Sequence, residues 1–129
     1  MGNNLKQELH VELGGAGPGE ELDDHLLAAF CFSDQDGFRD DSKWIDLRLP
    51  PLGADRLVES WVSPHPVSFR RQGRVRISES ERYAFAVIQL REDNPDEFRS
   101  LVTDAYAELM SVISSMNCSQ IVKIWNYFD

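Results

Sequence analysis

The sequence predicts an α+β fold, a two-layer sandwich of a mostly antiparallel sheet with one long helix. Three observations lead to this prediction. Short apolar or alternating segments fill the chain up to residue 90, one amphipathic stretch follows at residues 94–117, and a β-branched and aromatic segment closes the chain. A run of strands followed by a helix is typical of α+β domains.

Seven segments before the helix have strand patterns. They cover residues 8–13, 26–32, 44–49, 57–62, 67–70, 74–78 and 83–90. Residues 26–32 form a continuous apolar run of strand length, and most of the others alternate. The glycines of residues 14–19 and the pair Pro50 and Pro51 break the pattern between strands. The middle of the chain is therefore predicted to be a β meander.

The first residues of the predicted helix specify its start. Asn94 can cap the helix, Pro95 fits the first helical position, and Glu97 stands three residues after the cap, as in a capping box. Asn117 can end the helix in a left-handed conformation. Apolar residues recur at three- and four-residue steps, which predicts a stripe that packs against the sheet. The stripe comprises Phe98, Leu101, Val102, Ala105, Leu109, Val112, Ile113 and Met116.

Residues 121–129 form the last predicted strand. Its alternation places Trp125 and Tyr127 on one face and Asn126 on the other. We expect the two aromatic rings to pack under the helix and Asn126 to satisfy backbone groups. The alternative is that Asn126 or Tyr127 borders a ligand pocket between domains. A buried strand at this position indicates that the chain is cut short or that another element completes the strand.

The composition excludes several classes of function. The formal net charge of −9 argues against nucleic acids and anionic membranes as partners, because both require a basic surface. With 42% hydrophobic and 27% charged residues, the chain resembles ordinary globular proteins. No run approaches the roughly 20 apolar residues that span a bilayer. The N-terminus lacks a leader pattern, so we expect a cytoplasmic protein.

The side chains that most often carry catalysis or bind metals are scattered in this sequence. His10, His25 and His65 have no spacing to one another or to a cysteine that resembles a metal site. Cys31 and Cys118 are expected to be buried free thiols. There is no Cys-His or Ser-His-Asp signature. We therefore expect no metal and no cofactor, and we assign no catalytic residue.

A group of arginines is the best local candidate for a binding site. The group comprises Arg70, Arg71, Arg74 and Arg76. In residues 74–77 the alternation puts the two arginines on one strand face and the two aliphatic residues on the other. Because a guanidinium matches the geometry of a carboxylate, Arg74 and Arg76 are candidates for holding a small carboxylate ligand. The alternative is that they pair with surface acids.

Residues 57–129 resemble the N-terminal half of the chorismatase family. Members of this family hydrolyse chorismate to pyruvate plus a hydroxybenzoate or a dihydroxycyclohexadiene carboxylate. Residues 122–127, Val-Lys-Ile-Trp-Asn-Tyr, follow a helix of matching length and are similar to the strand that ends this domain in the family. Residues 83–88, Tyr-Ala-Phe-Ala-Val-Ile, stand where the family has a strand that usually carries Phe-Gly. Residues 61–67 fit the segment upstream.

The resemblance implies one domain over residues 1–129 with a Rid-like/chorismate-mutase-like fold, named after the reactive-intermediate deaminases. Lys123 stands where arginine is common, Ala86 replaces a glycine, and the sequence ends at Asp129, where the family continues into a second domain. In the family, the glutamate that acts as general acid/base and the arginine that holds the substrate carboxylate lie mainly beyond this point. No catalytic residue is therefore transferred to this chain.

Three functions remain open at this point. The first is a non-catalytic N-terminal domain, or a short paralogue, of a chorismatase-like enzyme that lacks the C-terminal catalytic domain. The second is a freestanding Rid-like trimer that binds small carboxylates. The third is a domain that docks a partner chain through its last strand. The expected partners are thus a carboxylate ligand, a C-terminal domain or further copies of the chain. The candidate ligand-binding residues are Arg74, Arg76, Asn126 and Tyr127.

Overall fold

The fold is an α+β sandwich of two sheets and one helix, which confirms the predicted class. The computed structural model describes residues 8–17, 19–35, 43–91, 93–116 and 120–127. Within these ranges the strands are β1 (His10–Gly14), β2 (Leu26–Ser33), β3 (Trp44–Leu47), β4 (Arg56–Val62), β5 (Ser68–Gln72), β6 (Val75–Glu79) and β7 (Ala84–Val87). The helix α1 spans Phe98–Ser114, and 3-10 helices cover Glu20–His25 and Pro95–Glu97. Each of the seven strands predicted before the helix is present.

The first sheet has the strand order β1-β4-β2-β3. Its neighbours are antiparallel except for β2 and β3, which run parallel. Successive residues of β2 point to opposite faces, and both faces are covered. One face carries a cluster of Leu26, Ala29, Cys31 and Val58, against which Trp44 packs. The other face carries Ala28, Phe30 and Ile45. Double burial explains why β2 has a continuous apolar sequence.

The second sheet is the antiparallel meander β5-β6-β7. Gly73 and Arg74 form the two-residue turn between β5 and β6, and the φ angle of Gly73 is +61°. A positive φ at the first turn residue is the geometry of a type II′ hairpin, which favours glycine there. Arg74 therefore lies in the turn, and β6 begins at Val75. The prediction that Arg74 and Arg76 share one strand face is wrong for this reason.

The second sheet is covered on both faces. On β6, Val75 and Ile77 pack against Val112 of α1. On β7, Phe85 and Val87 point the other way and pack against Ala28, Phe30 and Ile45 of the first sheet. This meander therefore lies between the helix and the first sheet. The sequence analysis predicted a single sheet, whereas the structure has two. Alternation identifies the segments that form strands, but it does not reveal which strands pair with one another.

The start of the helix follows its capping residues. The Asn94 side chain accepts a hydrogen bond of 3.0 Å from the Asp96 backbone N–H, and Pro95 opens the first turn. The Glu97 N–H donates to the Asn94 carbonyl at 3.0 Å, and among the described residues no hydrogen bond joins the Glu97 carboxylate to the Asn94 N–H, so the reciprocal half of the capping box is absent there. Asn117, the predicted end of the helix, lies outside the described residues. Among the described helices, none is long and apolar enough to cross a membrane.

The outer edge of β3 is covered by side chains of the second sheet. The N–H of Ala29 on β2 donates to the carbonyl of Lys43. Carbonyls along a strand alternate in direction, so those of Trp44 and Asp46 point away from β2. An edge strand would leave these acceptors without a backbone partner.

Arg76 and Gln89 supply the missing donors. Nη1 of Arg76 donates to the Trp44 carbonyl, and Nε2 of Gln89 donates to the Asp46 carbonyl, both at 2.9 Å. The Arg76 guanidinium also donates to the Gln89 Oε1 at 2.9 Å. Arg76 is only 2% exposed. These three hydrogen bonds form what we call the edge clamp, which ties the two sheets together.

The prediction of a strand over residues 121–129 is wrong for residues 121–127, which the structure describes. Residues 120–127 have no strand structure, and within the described part of the chain their backbone makes no hydrogen bond to other backbone groups. Ile121, Val122 and Ile124 are exposed by 55%, 84% and 51%. The edge strands are β1, β3, β5 and β7, and within the described residues the segment 120–127 pairs with none of them. Residues 120–127 therefore have the β-branched and aromatic sequence of a strand, but they do not pair with another strand of the described residues.

We expect Arg76→Ala to destabilise the protein by about 3 kcal/mol, because the part-buried Trp44 carbonyl and Gln89 Oε1 would each lose a hydrogen bond from a buried guanidinium. Urea unfolding followed by tryptophan fluorescence measures this change.

Arg70→Ala is the matched control. Arg70 binds Glu79 at 2.8 Å, but its side chain is 45% exposed. Its loss should cost no more than about 1 kcal/mol. Equal destabilisation by the two substitutions would contradict the structural role of the edge clamp.

Candidate functional site

An open groove of about 1320 Å³ lies between the two sheets, the helix and the C-terminal segment. Residues 45–49, residues 79–91, one side of α1 and most of residues 120–127 form its walls. Apolar side chains dominate the lining. Four basic and four acidic side chains also line it, namely Arg48, Arg82, Arg91, Lys123, Asp46, Glu79, Glu81 and Asp93. The groove therefore does not share the strong negative charge of the whole chain.

Aromatic rings from four parts of the chain meet at the groove. The Trp125 ring lies 5.5 Å from the Phe30 ring and 6.2 Å from the Phe85 ring, measured between centroids. It meets the Trp61 ring edge to face at 5.1 Å. Such pairs add specific attraction to the burial of apolar area. We call these four rings the aromatic cluster. It holds the C-terminal segment against both sheets.

Tyr127 extends this contact. Its ring lies 5.9 Å from Phe30 and 5.8 Å from Phe32. Burial, and to a smaller extent the charge of Glu59, raise the pKa of the Tyr127 phenol above its ordinary value. Tyr127 and Trp125 thus point to one side of the segment, as their spacing predicts, but they pack on aromatic rings of the strands and not under the helix as expected.

Lys123 brings a positive charge to the cluster. Its Nζ lies 5.0 Å from the Trp125 ring centroid and 5.8 Å from that of Trp61. Both distances are within the range of cation–π attraction. The Trp61 Nε1–H donates to the Glu59 Oε1 at 2.8 Å, which fixes the indole and places a carboxylate beside it.

Arg74 binds an acid of the same chain. Its backbone N–H donates to Glu108 Oε1 at 2.8 Å, and its guanidinium contacts Glu108 Oε2 at 2.7 Å. The backbone N–H of Arg74, followed by its side chain, lowers the pKa of the Glu108 carboxyl below the ordinary value. Both side chains are partly exposed. The ion pair joins the β5–β6 turn to α1.

The four predicted ligand-binding residues have different partners. Arg74 contacts Glu108 of the helix, and Arg76 belongs to the edge clamp. Asn126 accepts a hydrogen bond from the Tyr106 hydroxyl, on the opposite side of the segment from Trp125 and Tyr127. Of the four, Tyr127 lines the groove. The structure therefore distributes these residues instead of gathering them around one ligand.

Sequence reasoning missed the groove residues Phe30, Phe85 and Lys123, and left Trp61 without a role. A signal for Trp61 was present on β4. Val58, Ser60 and Val62 are buried on one face, so Glu59 and Trp61 share the other.

The described residues contain no group of three or more His, Cys, Asp or Glu side chains that could hold a metal ion.

Cys31 is a buried free thiol, as expected. Cys118 lies outside the described residues. His25 Nδ1 lies 3.1 Å from the Ser63 carbonyl, and His65 Nε2 lies 3.4 Å from Glu81 Oε2. These histidines thus have separate local partners.

The fold and the groove define an α+β domain whose C-terminal segment is anchored on an aromatic cluster. A family model described as Chorismatase FkbO/Hyg5-like, N-terminal matches residues 59–129, more than half of the chain. The chain belongs to this family of chorismatase N-terminal domains. The match begins within β4 and includes the second sheet, the helix and residues 120–127, which confirms the resemblance. Searches among curated proteins and solved structures gave no match.

We expect Glu108→Gln to lower stability at pH 7, with a deficit relative to the parent chain that disappears in acid. A carboxyl with a lowered folded pKa stabilises the fold above its unfolded pKa, about 4.3, and this contribution is lost as the pH falls through the folded pKa. Urea unfolding at a series of pH values from neutral to acid measures the difference. Asp104→Asn on the same helix is the control. A deficit independent of pH would contradict the ion-pair assignment.

We expect Trp125→Ala to detach the C-terminal segment. The loss of about 1.5 kcal/mol of apolar anchoring should raise the detached population roughly tenfold, because within the described residues the segment has no backbone pairing to hold it. Trypsin cleavage after Lys123, followed by mass spectrometry, reports this population. Val122→Ala is the control, since Val122 is 84% exposed. Equal cleavage rates for Trp125→Ala and the parent chain would show that other contacts hold the segment.

Proposed function

We propose that this chain acts as the non-catalytic N-terminal domain of a chorismatase-like enzyme. In this proposal residues 1–129 form one Rid-like domain, and the hydrolysis of chorismate to pyruvate plus a hydroxybenzoate requires a C-terminal catalytic domain. The family match over residues 59–129 supports the assignment. We retain the cytoplasm as the proposed location.

The observation that carries the proposal is the C-terminal segment. Ile121, Val122 and Ile124 are at least half exposed, and the backbone around them is unpaired within the described residues. Exposed apolar side chains on a segment with an unpaired backbone favour docking by another polypeptide, which can bury them and pair with the backbone. We infer that the C-terminal domain packs here.

The aromatic cluster prepares the segment for this contact. Trp125 and Tyr127 anchor one side of the segment, and Asn126 binds Tyr106 on the other. A segment that side-chain contacts already hold in place loses less conformational entropy when a partner binds. The role of this domain is thus to present a pre-ordered surface.

The test compares the chain alone with the chain mixed with the C-terminal domain of an FkbO/Hyg5-like chorismatase. Pyruvate release from chorismate is the readout, and calorimetry measures association. We expect no release above the spontaneous rate from the chain alone and association in the mixture. Pyruvate release by the chain alone would overturn the non-catalytic assignment.

Charged substitutions locate the docking surface. Val122→Asp combined with Ile124→Asp should weaken association at least tenfold, about 1.4 kcal/mol, because two carboxylates would be buried at the contact. Leu52→Asp is the control, since Leu52 is fully exposed in a turn elsewhere. Equal weakening by both changes, or by neither, would contradict docking through residues 120–127.

A second candidate is a freestanding trimer that binds small carboxylates through Arg74 or Arg76. The contact of Arg74 with Glu108 supports carboxylate binding, since the partly exposed guanidinium already binds a carboxylate. A ligand would have to displace Glu108, and binding at Arg76 would have to open the edge clamp. Sedimentation distinguishes this candidate, because it predicts three times the chain mass of 14.7 kDa.

A further inference from the structure

The rings of Trp61 and Trp125 form a corner that opens into the groove. Their planes meet at 79° with centroids 5.1 Å apart, and both residues line the groove. Two indole faces at nearly a right angle can both contact one cation, and tryptophan has the strongest cation–π attraction among the side chains. We call this arrangement the indole corner.

A carboxylate stands beside the indole corner. Glu59 accepts the Trp61 indole N–H at 2.8 Å, and it lies close enough to Tyr127 to influence the ionisation of the phenol. Aromatic faces and a carboxylate both attract a positive charge. Together they favour the binding of an alkylammonium group over a neutral group of the same shape.

The ammonium group of Lys123 lies at the indole corner. The Lys123 Nζ lies within 6 Å of both ring centroids, and within the described residues it makes no ion pair. Lys123 belongs to an exposed stretch of the C-terminal segment. Its flexible side chain can therefore leave the corner without any change in the sheets.

We propose that the indole corner is a binding site for an alkylammonium group, which Lys123 occupies in the absence of a ligand. The ligand class is a small quaternary or methylated amine, held by the faces of Trp61 and Trp125 and attracted by Glu59. Lys123 competes with the ligand, so its removal strengthens binding. The site lies within the isolated chain, so it can be tested without a C-terminal domain.

Choline and its neutral isostere 3,3-dimethylbutan-1-ol are the probes. Nuclear magnetic resonance of the indole N–H groups follows each tryptophan separately at constant ionic strength. We expect choline to shift the Trp61 and Trp125 signals in a saturable manner, with at least fivefold tighter binding to Lys123→Ala than to the parent chain. Trp44 packs in the core of the first sheet and should not shift, so it also reports an intact fold.

The controls separate charge from shape. The isostere should produce no saturable shift, Glu59→Gln should weaken choline binding at least threefold, and Lys43→Ala should bind choline as the parent chain does. Equal responses to choline and the isostere would overturn the proposal. The absence of any choline response in Lys123→Ala, with an intact Trp44 signal, would also overturn it.

Discussion

The hydrogen bonds from Arg76 and Gln89 to the edge of β3 determine how the two sheets meet. They satisfy the carbonyls of Trp44 and Asp46 that an edge strand would otherwise leave unpaired. Because Arg76 is buried, its charge requires hydrogen-bond partners, and the Trp44 carbonyl and Gln89 are among them. The edge clamp also keeps the first sheet from extending past β3. The groove lies between the two sheets and is lined by residues 45–49 of the β3 region.

The C-terminal segment is held in a different way. Its contacts are made by side chains, chiefly by Trp125 in the aromatic cluster, while its backbone has no partner among the described residues. Such a segment is ordered yet remains able to form main-chain hydrogen bonds with a partner. This combination suits an N-terminal domain in the chorismatase family, whose matched region includes the segment.

Much of the fold could be predicted from the sequence, because period-two alternation and the Asn94-Pro95 capping pattern are local signals. The pairing of strands is not local, which explains the unexpected division into two sheets. The burial of Arg76 also depends on β3, more than 30 residues earlier, so alternation assigned it to a surface face. Residues 121–127 have the sequence of a strand, but a strand forms only where an edge accepts it. For the site, the spacing of Trp125 and Tyr127 was informative, whereas the approach of Phe30, Trp61 and Phe85 required the tertiary structure.

Hydrogen–deuterium exchange, read at the level of single amides, tests most directly whether residues 120–127 are held by side chains alone. The account predicts fast exchange for the amides of residues 121–127 in the isolated chain, together with strong protection of β2 and β6. Protection of residues 121–127 comparable to that of β6 would contradict it, because such protection requires backbone hydrogen bonds within the isolated domain.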